Sequence, residues 1–230
     1  MHVLSVTHGP SVPGGVFEEV VEAGGHTLAR WVVPDGGAPD GARSYDAVMV
    51  FGGSMHPDED DRFGWLEREE EFLKDVLEGG TPVVGVCLGA QMLARAAGAW
   101  VGPAPASEIG WLPVELTPAG HEDPVLGVLP AQVEAFQWHR YTFRVPEGGT
   151  ELARSEACPQ AFRLGQAWGL QFHAEVTLSM VRDWAREDPD ELPLEEGRFL
   201  AETEARIAGW NEHGRRLCAA FLESAVTPAR

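Results

Sequence analysis

The sequence has few cysteines and no long apolar run. Its 230 residues include three cysteines, an odd number with irregular spacing, which argues against a disulfide framework. No apolar run approaches the roughly 20 residues that cross a bilayer, and the N-terminal segment lacks the basic region of a signal peptide. These absences predict a cytoplasmic protein with reduced thiols.

Basic residues are also scarce, because 17 Lys and Arg face 36 Asp and Glu for a net charge of −19. Binding to nucleic acid requires a basic surface, so nucleic acid is excluded as an expected partner. An anionic membrane is disfavoured for the same reason. The length and the 44% hydrophobic content suffice for one sizeable domain.

Motifs for metals and phosphates are missing as well. The chain contains no Cys-x-x-Cys pair, no His-x-x-x-His pair and no Gly-x-x-x-x-Gly-Lys-Ser/Thr loop. The acidic run Asp58–Asp61 lacks the glycine and the distal glutamate of a calcium loop, and a solvated surface loop explains it. We therefore expect neither a metal ion nor another cofactor.

The most informative segment that is present is Gly85–Gln91, with the sequence GVCLGAQ. It follows the β-branched run Val83-Val84 and precedes an Ala- and Leu-rich stretch, which places Cys87 on a sharp strand-to-helix turn. Unpaired N–H groups and the dipole at a helix N-terminus favour the reactive thiolate. Flanking glycines permit the tight turn. The pattern predicts a nucleophile elbow with cysteine in the place of serine.

A base for this nucleophile is available in the segment Gln171–Glu175, with the sequence QFHAE. Residues two apart on a strand face the same side, so His173 and Glu175 can both project toward one site. The other two cysteines, Cys158 and Cys218, have no comparable surroundings, and we expect them to be structural.

These two segments, together with Val50-Phe51-Gly52-Gly53, resemble the class I (triad) glutamine amidotransferase family. The resemblance covers roughly residues 1–178 and is greatest for stand-alone proteins similar to the amidotransferase domain of GMP synthase. Ala174 replaces the usual proline of the family's His-Pro-Glu motif. Segments similar to that subgroup are Glu108–Trp111, Phe136–His139 and Gln160–Arg163.

The resemblance implies a reaction and a role for each residue. Cys87 would attack the γ-carboxamide of glutamine, His173 would move the proton, and Glu175 would orient the imidazole. The family's oxyanion donors correspond to the N–H groups of Gly53 and Leu88, and its substrate-binding residues to Gly52 and Gln91. His139 either lines the glutamine pocket or packs beneath a loop. We expect His56 and Glu108 to be surface residues.

Three functions remain open at this stage. The protein could release ammonia for a separate synthase or other acceptor-activating protein, because the chain contains no ATP-using motif. It could instead act alone as a hydrolase or peptidase on another γ-glutamyl compound. It could also be a non-catalytic regulatory protein on the same scaffold, although the complete triad argues against this.

The expected fold is α/β, with a mainly parallel, open, flavodoxin-like sheet flanked by helices. Residues 1–230 are interpreted as one domain with a core of about 1–178, a small antiparallel addition and a helical C-terminal extension of about 179–230. Ligands bind beyond the carboxyl ends of parallel strands, where Gly52-Gly53 and Cys87 lie. The predicted parallel strands are His2–Thr7, His26–Val33, Asp46–Phe51 and Val83–Val86. The predicted helices are Val16–Ala23 and Trp65–Glu78, followed by short antiparallel strands between Trp111 and Phe172.

Overall fold

The computed structural model describes residues 1–37 and 39–226, which form a nine-stranded sheet with helices on both faces. The strands are β1 His2–Thr7, β2 Thr27–Val32, β3 Ala47–Val50, β4 Val83–Val86, β5 Val101–Leu116, β6 Gln132–Phe143, β7 Thr150–Arg154, β8 Pro159–Leu164 and β9 Ala167–Leu170. The α-helices are α1 Gly15–Ala23, α2 Trp65–Gly79, α3 Leu88–Ala96, α4 Pro118–Glu122, α5 Leu178–Glu187 and α6 Glu196–Val226. In this part of the chain no helix is long and apolar enough to cross a membrane.

Five strands in the order β2-β1-β3-β4-β9 form the parallel half of the sheet. Strands β3 and β4 are buried along their whole length, as the apolar runs require when both faces of a sheet are covered. The prediction of a mainly parallel sheet is confirmed. The bounds of the four strands predicted to be parallel, β1 to β4, are correct to one residue at each end.

The two faces of the sheet pack against different helices. Val3 and Met49 point into one core with residues of α1 and α6, whereas Leu4 and Val48 point into the other core with residues of α2 and α3. This alternation follows from the period of two along a strand. The two layers of helices leave the carboxyl ends of the parallel strands free for a site.

The antiparallel addition is larger than the sequence analysis expected. Strands β5 and β6 pair over most of their length as a long ribbon, with an irregularity between Pro103 and Glu108. Two prolines, Pro103 and Pro105, concealed the first half of β5, because proline cannot donate to a sheet ladder. That half of β5 has β6 on one side only, an edge position at which proline is tolerated.

One strand expected in the antiparallel addition belongs to both halves of the sheet. Strand β9 pairs in parallel with β4, where Val86 lies opposite Leu170, and antiparallel with β8. The segment that follows β9 therefore emerges beside the segment that follows β4. This pairing is what brings the two motif segments together.

The C-terminal extension is helical and is divided between α5 and α6. Helix α5 ends at Glu187, a short 3-10 turn covers Pro189–Glu191, and α6 begins at Glu196. Helix α6 packs against α1 and α5, and its apolar residues, including Phe199, Trp210 and Phe221, join the core beneath the sheet. The apolar stripe of α6 therefore serves as core packing.

Candidate active site

Cys87 is the residue on which the candidate site is centred. Its backbone has φ 53° and ψ −111°, and it is the only non-glycine residue with positive φ in the described parts of the chain. Its N–H donates to the Leu170 carbonyl at 2.8 Å, and its own carbonyl accepts from the Gln91 N–H at 3.0 Å. A Cβ on Gly89 would lie 2.2 Å from the Val50 carbonyl oxygen, so only glycine permits this close turn.

His173 and Glu175 lie beside this elbow and contact each other. The Nδ1 atom of His173 is 2.8 Å from Oε1 of Glu175, and both side chains are almost completely buried. Burial lowers the pKa of His173, but the charges of Glu175 and Cys87 and the hydrogen bonds to both outweigh burial and raise that pKa to about 10. The imidazole is therefore positively charged near neutral pH, between a carboxylate and a sulfur.

The C-terminal helices support the segment that carries these two residues. Trp210 of α6 donates its indole N–H to the His173 carbonyl at 2.7 Å, and Asn211 donates to the Val176 carbonyl at 2.6 Å. The Trp184 ring of α5 packs edge-on against the His173 ring, with centroids 4.9 Å apart. Helices that the sequence assigned to an extension thus hold the proposed base in place.

The glycine loop after β3 lies against the same side chains. A Cβ on Gly52 would lie 3.1 Å from Cε1 of His173 and 3.7 Å from Cβ of Cys87. Gly53 and Leu88 are adjacent, because a Cβ on Gly53 would meet the Leu88 side chain at 2.8 Å. The residues expected to supply the two oxyanion N–H groups are thus neighbours.

Two cavities open on either side of Cys87. The first, of about 90 Å³, lies on the His173 side and is walled by Trp138 and Trp184. The exposed carboxyl-bearing residues Glu187 and Asp188 also line it. The second cavity, of about 140 Å³, has no contact with His173. Residues that line this second cavity include Gly53, His56, Cys87, Leu88, Gln91, His139, Arg140 and Tyr141.

Gln91 is nearly buried, and its side-chain amide is already hydrogen-bonded within the protein. Its Nε2 donates to the Tyr141 carbonyl at 2.9 Å and to Oε1 of Gln171 at 3.2 Å. His56 is half-buried, with its ring stacked on Tyr141 at a centroid distance of 4.0 Å. His56 thus keeps part of its surface exposed, as expected, and also lines the second cavity.

Glu108 is placed differently from the expectation, since its side chain is buried instead of exposed. Its Oε2 accepts from Nε2 of Gln160 at 2.7 Å and lies 3.2 Å from Nε2 of His139. Burial raises the pKa of Glu108, but hydrogen bonds from His139, Ser155 and Cys158 outweigh it and hold the pKa below its usual value. The sequence concealed this, because the partners lie on β6, on β8 and in the turn between β7 and β8, far from Glu108 along the chain.

His139 takes part in both of the arrangements that the sequence left open. It touches the second cavity, yet its ring is buried between Glu108 and the Tyr141 carbonyl, which lies 3.0 Å from Nδ1. The ligand atoms of Glu108, His139 and Cys158 lie within 4.8 Å of one another, close enough to hold a metal ion. However, an ion there would displace the Gln160 amide, which already satisfies the Glu108 carboxylate. Cys158 and Gln160 both donate to Oε2 of Glu108, so these residues form a hydrogen-bonded cluster around its carboxylate.

Three residues that the sequence analysis did not single out also border the site: His8, Trp184 and Trp210. His8 follows β1 directly, so the rule that places sites beyond the carboxyl ends of parallel strands could have found it. No comparable signal marks the two tryptophans, because their helices reach the site only through tertiary packing.

The sequence profile of class-I glutamine amidotransferases matches residues 22–183, and the chain belongs to this family. A glutamine amidotransferase-like protein of Salmonella typhimurium, YfeJ, is 30% identical over 217 residues, covering 92% of this chain and 91% of the relative. The crystal structure of a glutamine amidotransferase from Thermotoga maritima superposes with a TM-score of 0.89 at 29% identity, covering 97% of this chain and 99% of that one.

Two further relatives carry the names of two different enzymes, a synthase and a hydrolase. A GMP synthase of Aeropyrum pernix is 35% identical over 115 residues, which is 49% of this chain but 22% of that enzyme. A γ-glutamyl-L-1-hydroxyisopropylamide hydrolase of a Pseudomonas species is 29% identical over 166 residues, or 68% of this chain and 55% of the hydrolase. The resemblance to the amidotransferase domain of GMP synthase and to stand-alone relatives is confirmed.

Proposed function

We propose that this protein is a cysteine hydrolase that cleaves the γ-amide of glutamine through a thioester on Cys87. The observation that carries the proposal is the placement of the His173 imidazole, hydrogen-bonded to both the Glu175 carboxylate and the Cys87 sulfur next to a nucleophile elbow. A thiolate paired with an imidazolium is the reactive form that such catalysis needs.

The first half of the reaction forms the thioester. The Cys87 thiolate attacks the γ-carbonyl carbon, and the electron pair of the C=O bond moves onto oxygen, near the N–H groups of Gly53 and Leu88. When that electron pair returns, the C–N bond breaks. The departing nitrogen takes the proton of His173, and Glu175 keeps the ring oriented through its bond to Nδ1.

The second half returns the enzyme to its starting state. Water attacks the thioester carbon and gives its proton to His173, and the C–S bond then breaks to release glutamate. The Cys87 thiolate and the charged imidazole are thereby restored. We propose that the ammonia passes to a separate acceptor-activating protein, as the likeness to the amidotransferase domain of GMP synthase suggests.

The direct test measures ammonia release from glutamine by the purified protein and by Cys87→Ser. We expect the substitution to abolish turnover with an unchanged fold, measured by circular dichroism. Cys218→Ser is the matched control, because that thiol is buried in the core and donates to the Phe17 carbonyl. Glutamine hydrolysis that survives in Cys87→Ser would refute the proposal.

Chemical labelling gives a second test. A diazo-ketone analogue of glutamine should modify Cys87 and spare the other two thiols, with the site mapped by mass spectrometry. Burial raises the pKa of Cys158 to about 11 and also raises that of Cys218, so neither offers thiolate at neutral pH. Labelling at Cys158 instead would contradict the assignment of the nucleophile.

A second candidate function is hydrolysis of a γ-glutamyl amide that carries a larger amine. The cavity on the His173 side favours it, because His173 delivers its proton to the leaving nitrogen, and ammonia does not need a cavity walled by two tryptophans. The named activity of the Pseudomonas relative is of this type. Comparing kcat/KM for glutamine with that for γ-glutamyl alkylamides distinguishes the two functions. Val12 lines this cavity, so Val12→Phe should fill it and lower kcat/KM for the larger amides while leaving that for glutamine unchanged.

A further inference from the structure

A second buried histidine–carboxylate pair lies beside the glycine loop. His8 and Glu69 are completely buried in their side chains, and Nε2 of His8 is 2.9 Å from Oε2 of Glu69. The other ring nitrogen, Nδ1, is 2.9 Å from the Gly52 carbonyl oxygen. The ring also stacks on Trp65, with centroids 5.5 Å apart. The imidazole is thus held at both ring nitrogens and on one ring face.

The partners of His8 define its protonation. A carbonyl oxygen and a carboxylate oxygen both only accept hydrogen bonds, so both ring nitrogens must donate, which requires the charged imidazolium. Burial lowers the pKa of His8, but the charge of Glu69 and the hydrogen bonds to Glu69 and Gly52 outweigh burial, and the pKa is raised. His8 is thus a buried cation that binds the Gly52 carbonyl.

Fixing that carbonyl also fixes the next N–H group. A trans peptide is planar, so the C=O of Gly52 and the N–H of Gly53 point in opposite directions. With the carbonyl directed at His8, the N–H of Gly53 is directed away from His8. Of the two cavities, His8 lines only the first, whereas the second is lined by Gly53, Cys87 and Leu88 without His8. An N–H group of Gly53 that is directed away from His8 therefore points toward the second cavity, beside Cys87 and Leu88, where a substrate oxyanion would form.

We infer that His8 and Glu69 are positioning residues that hold the Gly52–Gly53 peptide in the orientation that serves as an oxyanion donor. This inference rests on the proposed function of the site. Two consecutive glycines rotate easily, since neither has a Cβ. Without the cation, rotation of the peptide would direct the Gly52 carbonyl toward the developing negative charge and remove the Gly53 donor.

The test uses two substitutions that each keep half of the histidine's contacts. In His8→Asn the side-chain amide occupies the place of Nδ1 and still donates to the Gly52 carbonyl. In His8→Gln the amide reaches toward Glu69 and leaves the Gly52 carbonyl without its donor. His121→Gln, at an exposed position on α4, is the control for a histidine substitution.

We expect kcat for γ-amide hydrolysis to fall about 100-fold in His8→Gln with little change in KM, because the loss of one oxyanion donor costs about 10²–10³ in kcat. His8→Asn should recover most of that loss. An aldehyde analogue of glutamine, which forms a tetrahedral adduct on the nucleophile, should bind more weakly to His8→Gln by a similar factor. A purely structural role would instead lower the stability of both variants and leave kcat of the folded fraction unchanged.

Crystal structures of the two variants complete the test independently of turnover. The Gly52–Gly53 peptide should keep its orientation in His8→Asn and rotate in His8→Gln. An unrotated peptide in His8→Gln, or equal kcat values for the two variants, overturns the inference while leaving the proposed function intact. A wild-type protein that hydrolyses no γ-glutamyl amide would instead refute the proposed function. The inference about His8 would in that case still be tested by comparing the orientation of the Gly52–Gly53 peptide in the two variant structures.

Discussion

Gly214 of α6 lies directly against the backbone between the two proposed catalytic side chains of the His-x-Glu segment. A Cβ at this position would lie 2.0 Å from the carbonyl oxygen of Ala174, the residue between His173 and Glu175. Real Cβ atoms do not approach a carbonyl oxygen closer than 3.0 Å. In Gly214→Ala, helix α6 and the Ala174 peptide must therefore separate by about 1 Å.

The expected cost has two components. Overpacking of a well-filled interior typically lowers the free energy of unfolding by about 1–3 kcal/mol. A displacement of about 1 Å at a catalytic group reduces turnover by about 100-fold. Because Ala174 is bonded along the chain to both His173 and Glu175, a shift of its peptide also displaces the imidazole. We expect both effects together, measured by urea unfolding and by the kcat for release of ammonia or amine.

The same helix offers a matched control. Gly209 is exposed, and a Cβ there would meet no atom within 4 Å. Gly209→Ala should therefore raise the free energy of unfolding by about 0.8–1 kcal/mol through helix propensity alone, with wild-type turnover. If Gly214→Ala gave the same gain in stability and unchanged turnover, the idea that α6 positions the triad segment would be wrong.

Three further outcomes follow from the contacts described. Trp210→Phe should lower the free energy of unfolding by about 1–3 kcal/mol in a urea titration, because the buried His173 carbonyl loses its donor. Glu175→Gln should reduce kcat less than His173→Ala, because a glutamine oxygen can still accept from Nδ1; equal losses in steady-state assays would contradict this. The stability difference between wild type and His8→Gln, followed by urea unfolding across pH, should be full below about pH 6.5. It should decline as the pH rises through the raised pKa of His8, because the folded state binds that proton more tightly.

The parallel half of the fold could be predicted because local signals and the final structure agree there. Strands β3 and β4 are short apolar runs buried on both faces, and α2 is marked by its apolar period and the following glycines. The elbow at Cys87 could be predicted for the same reason. Its strand, its turn and its helix are contiguous in sequence, so Gly85–Gln91 carries the whole pattern.

Other features depend on partners that are distant along the chain. Glu108 is acidic and is surrounded by turn-like residues, and only its contacts with His139 and Gln160 explain its burial. The role of α6 was similarly hidden, because an apolar stripe does not reveal what it covers. Its contacts with the His173 carbonyl and with Ala174 arise only after the helix packs beneath the sheet.

The contacts of α6 also imply that, during synthesis of the chain, the catalytic residues are made before the helix that positions them. A ribosome that has reached Glu175 has already made the nucleophile, the base and its orienting carboxylate, yet it has not begun α6, which starts at Glu196. Until Trp210 and Gly214 have emerged and packed, nothing from α6 fixes the carbonyls of His173 and Ala174. We expect incomplete chains that lack α6 to leave glutamine untouched, so that hydrolysis begins only after α6 has been made and has docked.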